Sequence, residues 1–329
     1  MPRVAVIGTG GTISSVGRDS LDVWQYMDHG KRLEADELVA EIPELKTVAD
    51  VEPVRHRAMP SPAIGPKDWL ELLAVVHDVA ARGVDGIVIT HGTATLEETA
   101  YFLNLTAKVD TPIVVVGAQR QFSGLSSDAR MNLVSAVRVA GSQEARGLGV
   151  LVLLNDEIQA AREVTKGSTL RLETFRSHDL GMLGYADPDG RVAIYRKPTR
   201  RHAPDTEFDV RRASDLPRVD IAYSYAGADA AAINAFVAAG ARAIVAASMA
   251  PGMTTMAEME ALLDARRRGI LVALSSRAGS GRVLRRTRFR DQGLLVADNL
   301  SPQKARILLM LALTVTDDVE RVQRMFDEY

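Results

Sequence analysis

The apolar positions of the stretch Gly86–Leu105 change from a strand pattern to a helix pattern. The continuous apolar run Ile87-Val88-Ile89 predicts a buried strand, which ends at the turn His91-Gly92. Apolar residues then recur with the spacing i, i+4 and i+7, at Leu96, Ala100 and Leu103. This spacing predicts a helix directly after the strand.

Two threonines lie between the predicted strand and the predicted helix. Thr95, with Glu98 three residues later, matches a capping box and predicts the start of the helix. Thr93 is therefore expected at the carboxyl end of a strand, just before a helix N-terminus. Ligands of open α/β sheets bind at that edge, and helix N-termini favour anionic groups. Thr93 is thus either a functional residue or a threonine in an ordinary turn.

Apolar strands alternate with amphipathic helices along most of the chain. Before residue 196, strands are also predicted at 3–7, 112–117 and 150–154, and helices at 34–42, 68–82 and 128–140. Beyond residue 217, strands are predicted at 221–223, 243–247 and 270–274, and helices at 228–239, 256–268 and 301–313. This alternation indicates an α/β fold, with a larger N-terminal doubly wound, mostly parallel sheet domain and a smaller C-terminal α/β domain.

Two segments lack this periodicity. Residues 14–33 are predicted to form a long loop, and loops of that length in compact domains are usually functional, often as lids. Residues 195–217 contain three prolines among many charged residues, which is typical of an interdomain linker. We therefore expect an N-terminal domain at 1–196, a linker at 197–217 and a C-terminal domain at 218–329.

Composition excludes several classes of protein. The 329 residues include 40 Lys and Arg against 42 Asp and Glu, so no excess of positive charge favours nucleic acid as a partner. There is no cysteine, which excludes disulfides, thiolate catalysis and cysteine-bound metal. The amino terminus enters a strand without a signal-peptide pattern, and no apolar run is long enough to span a membrane. A cytoplasmic location is expected.

The glycine-rich turn Gly8–Thr12 follows the first predicted strand and raises the question of nucleotide binding. Ile13 stands where a dinucleotide fingerprint requires a third glycine, and no phosphate-binding GxxxxGK[ST] motif occurs. What remains is a turn that presents the hydroxyl of Thr12. That hydroxyl is a nucleophile if a base lies near it, and otherwise Thr12 belongs to a tight turn.

The remaining candidate residues are basic. Lys166 follows a predicted strand and is either a base of lowered pKa in a cleft or an ordinary surface charge. The six histidines contain no HxxxH or HxH pair, so a metal site is not expected. Arginines cluster between Arg282 and Arg290, where they are solvated, contact another subunit or bind an anion.

Taken together, these motifs resemble those of the bacterial-type L-asparaginase/glutaminase family of threonine-nucleophile amidohydrolases. The matching segments follow one another along essentially the whole chain. They are Thr9-Gly10-Gly11-Thr12-Ile13, Ile89-Thr90-His91-Gly92-Thr93, Leu96-Glu97-Glu98-Thr99-Ala100, Val116-Gly117-Ala118, Val164-Thr165-Lys166, Ser275-Ser276-Arg277 and Pro302-Gln303-Lys304-Ala305-Arg306.

The resemblance implies a role for each matching position. Thr12 matches the nucleophile, Thr93 the second catalytic threonine, Lys166 its partner, and Tyr26 the lid tyrosine that hydrogen-bonds the nucleophile. The positions implied to bind the substrate are Gly11, Ser61, Gly92, Ala94 and Ala118. It further implies a small-molecule amide substrate, no cofactor, and a homotetramer of intimate dimers in which the partner subunit completes the site.

Three positions depart from the family pattern. Ala94 stands where the family has an aspartate that binds the substrate ammonium, and Pro62 stands where it usually has a glutamine. The loop after Ser276, where the family offers a glutamate, is arginine-rich. Each lost charge-assisted hydrogen bond typically costs about 1.5–3 kcal/mol. The sequence therefore predicts amide hydrolysis through Thr12 with a substrate shifted away from free asparagine.

Two other classes of function share this scaffold. A non-catalytic binding or regulatory protein would explain Ala94, although the retained pair of threonines with Lys166 argues against it. A subunit of a tRNA-dependent amidotransferase would be expected to carry an added amino-terminal domain. The sequence favours the hydrolase over both.

Overall fold

The computed structural model describes residues 1–329, with every side chain except that of His29. The chain divides into two compact units, Met1–Asp205 and Thr206–Tyr329. None of the helices in the described part of the chain combines the length and the apolar character that crossing a membrane requires.

The first unit contains twelve strands and five α-helices. The strands are β1 (Arg3–Gly10), β2 (Ser15–Val16), β3 (Lys31–Arg32), β4 (Asp50–Met59), β5 (Gly86–Thr90), β6 (Ile113–Val116), β7 (Val150–Leu154), β8 (Glu157–Ala160), β9 (Thr165–Lys166), β10 (Phe175–Arg176), β11 (Gly184–Ala186) and β12 (Val192–Ile194). The helices are α1 (Tyr26–His29), α2 (Ala35–Ala40), α3 (Pro66–Ala81), α4 (Leu96–Thr106) and α5 (Ala129–Ala140).

Eight of these strands form one sheet in the order β12-β11-β8-β7-β6-β5-β1-β4. The five strands from β7 to β4 are parallel, whereas β8, β11 and β12 add an antiparallel extension. Alternate residues of each central strand enter a buried core on one face, together with residues of α2 and α5. Helices α3 and α4 pack against β5, β6 and β7 and against each other. The predicted doubly wound, mostly parallel sheet is confirmed.

The second unit is a smaller α/β layer, as the sequence predicts. Its strands are β13 (Val219–Tyr223), β14 (Ala243–Ser248), β15 (Leu271–Ser276) and β16 (Leu295–Val296), all parallel and adjacent in that order. Its helices are α6 (Ala231–Ala238), α7 (Met256–Arg267), α8 (Thr287–Asp291), α9 (Pro302–Ala312) and α10 (Val319–Glu328). Helix α10 follows α9 and is absent from the helices that the sequence predicts, the last of which is at 301–313.

The predicted capping box at the start of α4 is wrong. Thr95 does precede the helix, but its side chain makes no capping hydrogen bond. The Thr95 hydroxyl instead donates to the backbone carbonyl of Ser61 at 2.9 Å. Thr95 therefore joins the loop after β5 to the loop after β4, and its hydrogen bond stabilises the contact between these loops.

The two segments without periodicity differ in structure. Residues 14–33 form a small hairpin of β2 and β3 with the single-turn helix α1 between them. Residues 195–217 contain neither helix nor strand. Phe208 lies within that second segment and is fully buried, with its ring tilted against the ring of Tyr329 at a centroid distance of 4.9 Å. The predicted domain limits stay a prediction.

Candidate active site

The carboxyl ends of four neighbouring parallel strands meet at one edge of the large sheet. The segments that follow these strands are Pro60-Ser61-Pro62 after β4, Gly11-Thr12 after β1, His91-Gly92-Thr93-Ala94 after β5 and Gly117-Ala118-Gln119 after β6. Because β4, β1, β5 and β6 are consecutive in the sheet, the four segments lie side by side. This is the edge where ligands of open α/β sheets bind.

Two glycines let the central loops approach each other closely. Gly11 has a φ of +86°, and a Cβ atom built on it would lie 2.3 Å from both the Cα and the N of Gly92. A Cβ on Gly92 would lie 2.6 Å from the Oγ of Ser61. Side chains at Gly11 or Gly92 would therefore separate the loops that carry Thr12, Thr93 and Ser61.

We expect Gly11→Ala to destabilise the protein by roughly 3 kcal/mol or more, because left-handed strain and backbone overlap add together. Gly83→Ala is a matched control, since Gly83 has a φ of +74° but nothing within 4 Å of its Cβ position. The control should cost only about 1–2 kcal/mol. Urea denaturation of both variants measures the difference. Equal losses would show that the Gly11–Gly92 contact does not matter.

The hydroxyl of Thr12 is paired with a phenol. Thr12 Oγ1 lies 2.8 Å from the hydroxyl oxygen of Tyr26, which is the first residue of α1 in the lid segment. Burial raises the pKa of Tyr26 above its ordinary value of 10, although the hydrogen bond to Thr12 and the positive charge of Arg32 oppose this. Tyr26 is therefore a neutral phenol at neutral pH, able to exchange a proton with Thr12 within one hydrogen bond.

The hydroxyl of Thr93 is paired with an amine. Lys166 Nζ donates to Thr93 Oγ1 at 2.7 Å and to Gln119 Oε1 at 3.3 Å. Thr93 Oγ1 also donates to Gln119 Oε1 at 3.3 Å. Burial lowers the pKa of Lys166 below its ordinary value of 10.5. A lysine with a lowered pKa supplies a larger fraction of neutral amine, which is the form that accepts a proton from a hydroxyl.

A buried glutamate fixes the strand that carries Lys166. Glu97, in the first turn of α4, accepts hydrogen bonds from the Lys166 backbone N–H at 3.2 Å and from the Thr165 hydroxyl at 3.0 Å. Both bonds go to the same carboxylate oxygen, Oε1. Glu97 is thus a positioning residue, which sequence reasoning did not single out.

The turn between β5 and Thr93 is fixed by a buried histidine. The Nδ1 of His91 lies 2.8 Å from the carbonyl oxygen of Gly92 and must therefore carry the proton. Its Nε2 then accepts from the Thr99 hydroxyl at 2.9 Å, and Thr99 accepts from the indole N–H of Trp69 at 2.9 Å. Burial lowers the pKa of His91 to about 4. His91 is neutral at neutral pH and has a structural role.

A pocket of about 210 Å³ opens at this edge of the sheet. It is lined by eight of the nine residues singled out from the sequence: Gly11, Thr12, Tyr26, Ser61, Gly92, Thr93, Ala94 and Lys166. Ala118 is instead fully buried in the core, and the next residue, Gln119, lines the pocket. A polar residue within three positions of a strand end is the signal that could have identified Gln119.

Segment 14–33 and the loop between β9 and β10 supply further lining residues that the sequence did not reveal. Arg32, at the end of the hairpin, lines the pocket beside Tyr26. Three apolar side chains of the rim are largely exposed, namely Trp24, Met27 and Leu170. No local periodicity marks these positions. Irregular loops have no sequence repeat from which the side that faces a pocket can be deduced.

The arginine cluster lies in the second unit and is largely paired there. Arg285 makes a bidentate ion pair with Glu320 at 2.6 and 2.8 Å, and Arg282 pairs with Asp298. The guanidinium of Arg286 lies over the ring of Phe289. Ion pairs and ring contacts within the same unit therefore account for these arginines. Among the described residues, no group of three or more His, Asp or Glu is placed to hold a metal ion.

Comparisons with known proteins match the whole chain. The family model described as "Asparaginase, N-terminal" matches residues 3–200, and that described as "Glutaminase/Asparaginase C-terminal domain" matches residues 218–326. The glutaminase-asparaginase of Pseudomonas fluorescens biotype A is 42% identical, over 100% of this chain and 91% of its own. L-asparaginase 2 of Bacillus subtilis (strain 168) is 40% identical, over 100% of this chain and 87% of its own. The crystal structure of a probable cytoplasmic L-asparaginase from Campylobacter jejuni superposes with a TM-score of 0.96 at 38% identity, over 100% of both chains.

Proposed function

Because this chain belongs to the asparaginase family and is an amidohydrolase, we propose that it hydrolyses a side-chain carboxamide through an ester on Thr12. The observation that carries the proposal is the pairing of two hydroxyls in one pocket, each with its own proton partner. Thr12 pairs with Tyr26 at 2.8 Å, and Thr93 pairs with Lys166 at 2.7 Å.

The first half of the reaction forms the ester. Thr12 Oγ1 attacks the carboxamide carbon and gives its proton to the Tyr26 hydroxyl, which passes its own proton to the leaving nitrogen. The C–N bond then breaks, and the leaving nitrogen departs as ammonia. Tyr26 is suited to relay this proton because burial keeps its pKa high and its hydroxyl neutral.

Backbone N–H groups are available for the negative charge that develops on the carbonyl oxygen. Those of Gly92 and Thr93 lie between β5 and α4, and neither donates to an acceptor in the described part of the chain. Donors aimed at a developing oxyanion often supply the largest share of catalysis in acyl transfer. We assign the oxyanion site to these two groups.

The second half of the reaction hydrolyses the ester. A water molecule attacks the acyl carbon, and its first proton passes through the Thr93 hydroxyl to neutral Lys166, which later releases it to solvent. The C–O bond to Thr12 then breaks, and the Thr12 oxygen takes up the second proton of the former water through the Tyr26 hydroxyl, which leaves a carboxylate. The short Lys166–Thr93 hydrogen bond and the lowered pKa of Lys166 support this direction of transfer. Ser61 and Gly92, together with Gly11 and Ala94, line the space that remains for the rest of the substrate.

The test of this function is ammonia release by the purified enzyme from a panel of primary amides: asparagine, glutamine, succinamate and N-acetylasparagine. We expect at least one amide to release ammonia and carboxylate in equal amounts, with a kcat/KM of about 10⁴ M⁻¹s⁻¹ or more. A panel without turnover would contradict the proposal. It would favour the non-catalytic binding protein that the sequence left as the alternative.

We further propose that the enzyme is a cytoplasmic homotetramer in which a partner subunit completes the site. The similar Campylobacter protein is described as cytoplasmic. Light scattering of the purified protein tests the assembly, and fractionation of the source cells tests the location. A monomer of 35.6 kDa with full activity would contradict the assembly.

A further inference from the structure

Two of the side chains that line the pocket are basic. They are Arg32 and Lys166, and no Asp or Glu lies among the lining residues in the described part of the chain. Ala94 and Pro62 also line the pocket, and their side chains contain no hydrogen-bond acceptor. An ammonium group on a substrate would therefore meet the Arg32 guanidinium and no carboxylate of the described residues, which is electrostatically unfavourable.

Arg32 is held in place through its backbone. In the hairpin of β2 and β3 it pairs with Ser15, which also lines the pocket. The Ser15 hydroxyl donates to the carbonyl of Gly11 at 2.9 Å, and the Leu33 N–H donates to the carbonyl of Ser14 at 2.8 Å. These bonds fix the base of Arg32 beside the Gly11-Thr12 turn without using its guanidinium.

The guanidinium has no hydrogen-bond or ion-pair partner among the described residues. Its Nε is buried and donates to no acceptor, and no carboxylate of the described residues forms an ion pair with it. The positive charge of Arg32 nevertheless interacts with the site, since it opposes the rise of the pKa of Tyr26. A buried, unsatisfied donor in a native structure calls for an explanation, and a ligand that supplies the acceptor is one.

Two acidic residues near Tyr26 make other contacts. Asp22 and Asp128 are close enough to Tyr26 to raise its pKa, but neither lines the pocket. Asp22 accepts from the backbone N–H groups of Arg18 and Gln25 at 3.0 and 3.1 Å. Asp128 accepts from the backbone N–H groups of Gln119 and Arg120, both at 2.9 Å. Both carboxylates are thus engaged in holding loops.

We propose that Arg32 is a specificity-determining residue that binds the carboxylate of the substrate, and that the preferred substrate is a monoamide of a dicarboxylic acid without a free ammonium group. Guanidinium groups bind carboxylates through two parallel hydrogen bonds, which suits the free donors of Arg32. The inference rests on the proposed amide hydrolysis and adds the class of its substrate.

The test compares asparagine with succinamate, which is the same molecule without the α-ammonium group. The wild-type enzyme should hydrolyse succinamate with a kcat/KM at least about 10-fold higher. Arg32→Gln should lower kcat/KM for succinamate by about 10- to 100-fold, mainly through KM, as expected for a lost charge-assisted contact. Its kcat/KM for asparagine should change less, and Arg32→Lys should restore part of the succinamate activity.

Lys31→Gln is the matched control, because Lys31 neighbours Arg32 but is exposed and pairs with Glu37 at 3.4 Å. It should leave both substrates unaffected. The inference is overturned if the wild type prefers asparagine, or if Arg32→Gln lowers both activities equally. Either result still requires amide turnover, whereas the absence of turnover from any amide contradicts the proposed function itself. The comparison of asparagine with succinamate uses the wild-type enzyme, so it does not depend on whether a variant folds.

Discussion

Replacing Thr12 by alanine is expected to lower kcat for amide hydrolysis by at least about 10³-fold, since removal of a nucleophile eliminates the covalent route. Substrate binding should persist, because the Gly11–Gly92 contact and the pocket lining do not depend on the hydroxyl. Ammonia release under saturating amide measures kcat, and equilibrium dialysis with the same amide measures binding. Thr12→Ser retains a hydroxyl and should keep part of the activity.

Thr47→Ala provides the matched control for this variant. Thr47 has the same side chain as Thr12 but is not a lining residue of the pocket. Its hydroxyl donates to the carbonyl of Glu44 within a short helix. This control should release ammonia at the wild-type rate. A Thr12→Ala enzyme as active as the Thr47→Ala enzyme would remove Thr12 from the mechanism.

Replacing Lys166 by methionine is expected to lower kcat by about 10²–10⁴-fold, the usual contribution of a general base. Methionine keeps much of the chain volume but cannot accept the proton of Thr93. Lys166→Arg should not restore activity, because a guanidinium stays protonated across the working range of pH. Lys31→Met makes the same change at an exposed lysine and should leave kcat unchanged.

The pH dependence of the wild-type enzyme follows from the same residue. The neutral amine of Lys166 is the active form, so kcat should rise with pH and level off above the pKa of Lys166. Burial lowers that pKa, so the rise should end below 10.5, the value of an ordinary lysine. Initial rates from about pH 6 to 10 measure the profile. A rate that does not depend on pH in this range would show that Lys166 is not the base.

The part of the site that follows from sequence is the part that regular elements position. Thr93 was predicted at a strand end before a helix, and β5 and α4 place it there. Thr12 follows β1 in the same way, and the parallel pairing of β1 with β5 brings the two ends together. A strand or helix signal therefore carries information about the position of the residue that follows it.

The elements that the sequence analysis missed have weak or overlooked signals. Strand β4 contains Pro53 and alternates exposed with partly buried residues, because it lies at the edge of the sheet where proline is tolerated. Helix α10 has its apolar residues Val322, Met325 and Phe326 at helical spacing, and Asp318 caps its start. That pattern was legible but short.

The pocket residues that the sequence analysis missed belong to irregular or side-chain-determined structure. Arg32 is positioned by the short hairpin of β2 and β3 within segment 14–33, which has no periodicity. That its Nε has no hydrogen-bond acceptor among the described residues is visible only in the structure. Glu97 belongs to one of the motifs that match the family, but its contact with Lys166 joins residues 69 positions apart in the chain. Such contacts depend on the packing of several elements, which no local pattern encodes.

The central claim is that the reaction passes through an acyl-enzyme on Thr12. It is tested most directly by letting hydroxylamine compete with water for the acyl group. The wild-type enzyme is given either a primary amide or the methyl ester of the same acid, and the ratio of hydroxamate to carboxylate is measured. A common ester intermediate predicts the same ratio from both substrates and neither product from Thr12→Ala. Ratios that differ between amide and ester, or equal product formation by Thr12→Ala, would contradict the account.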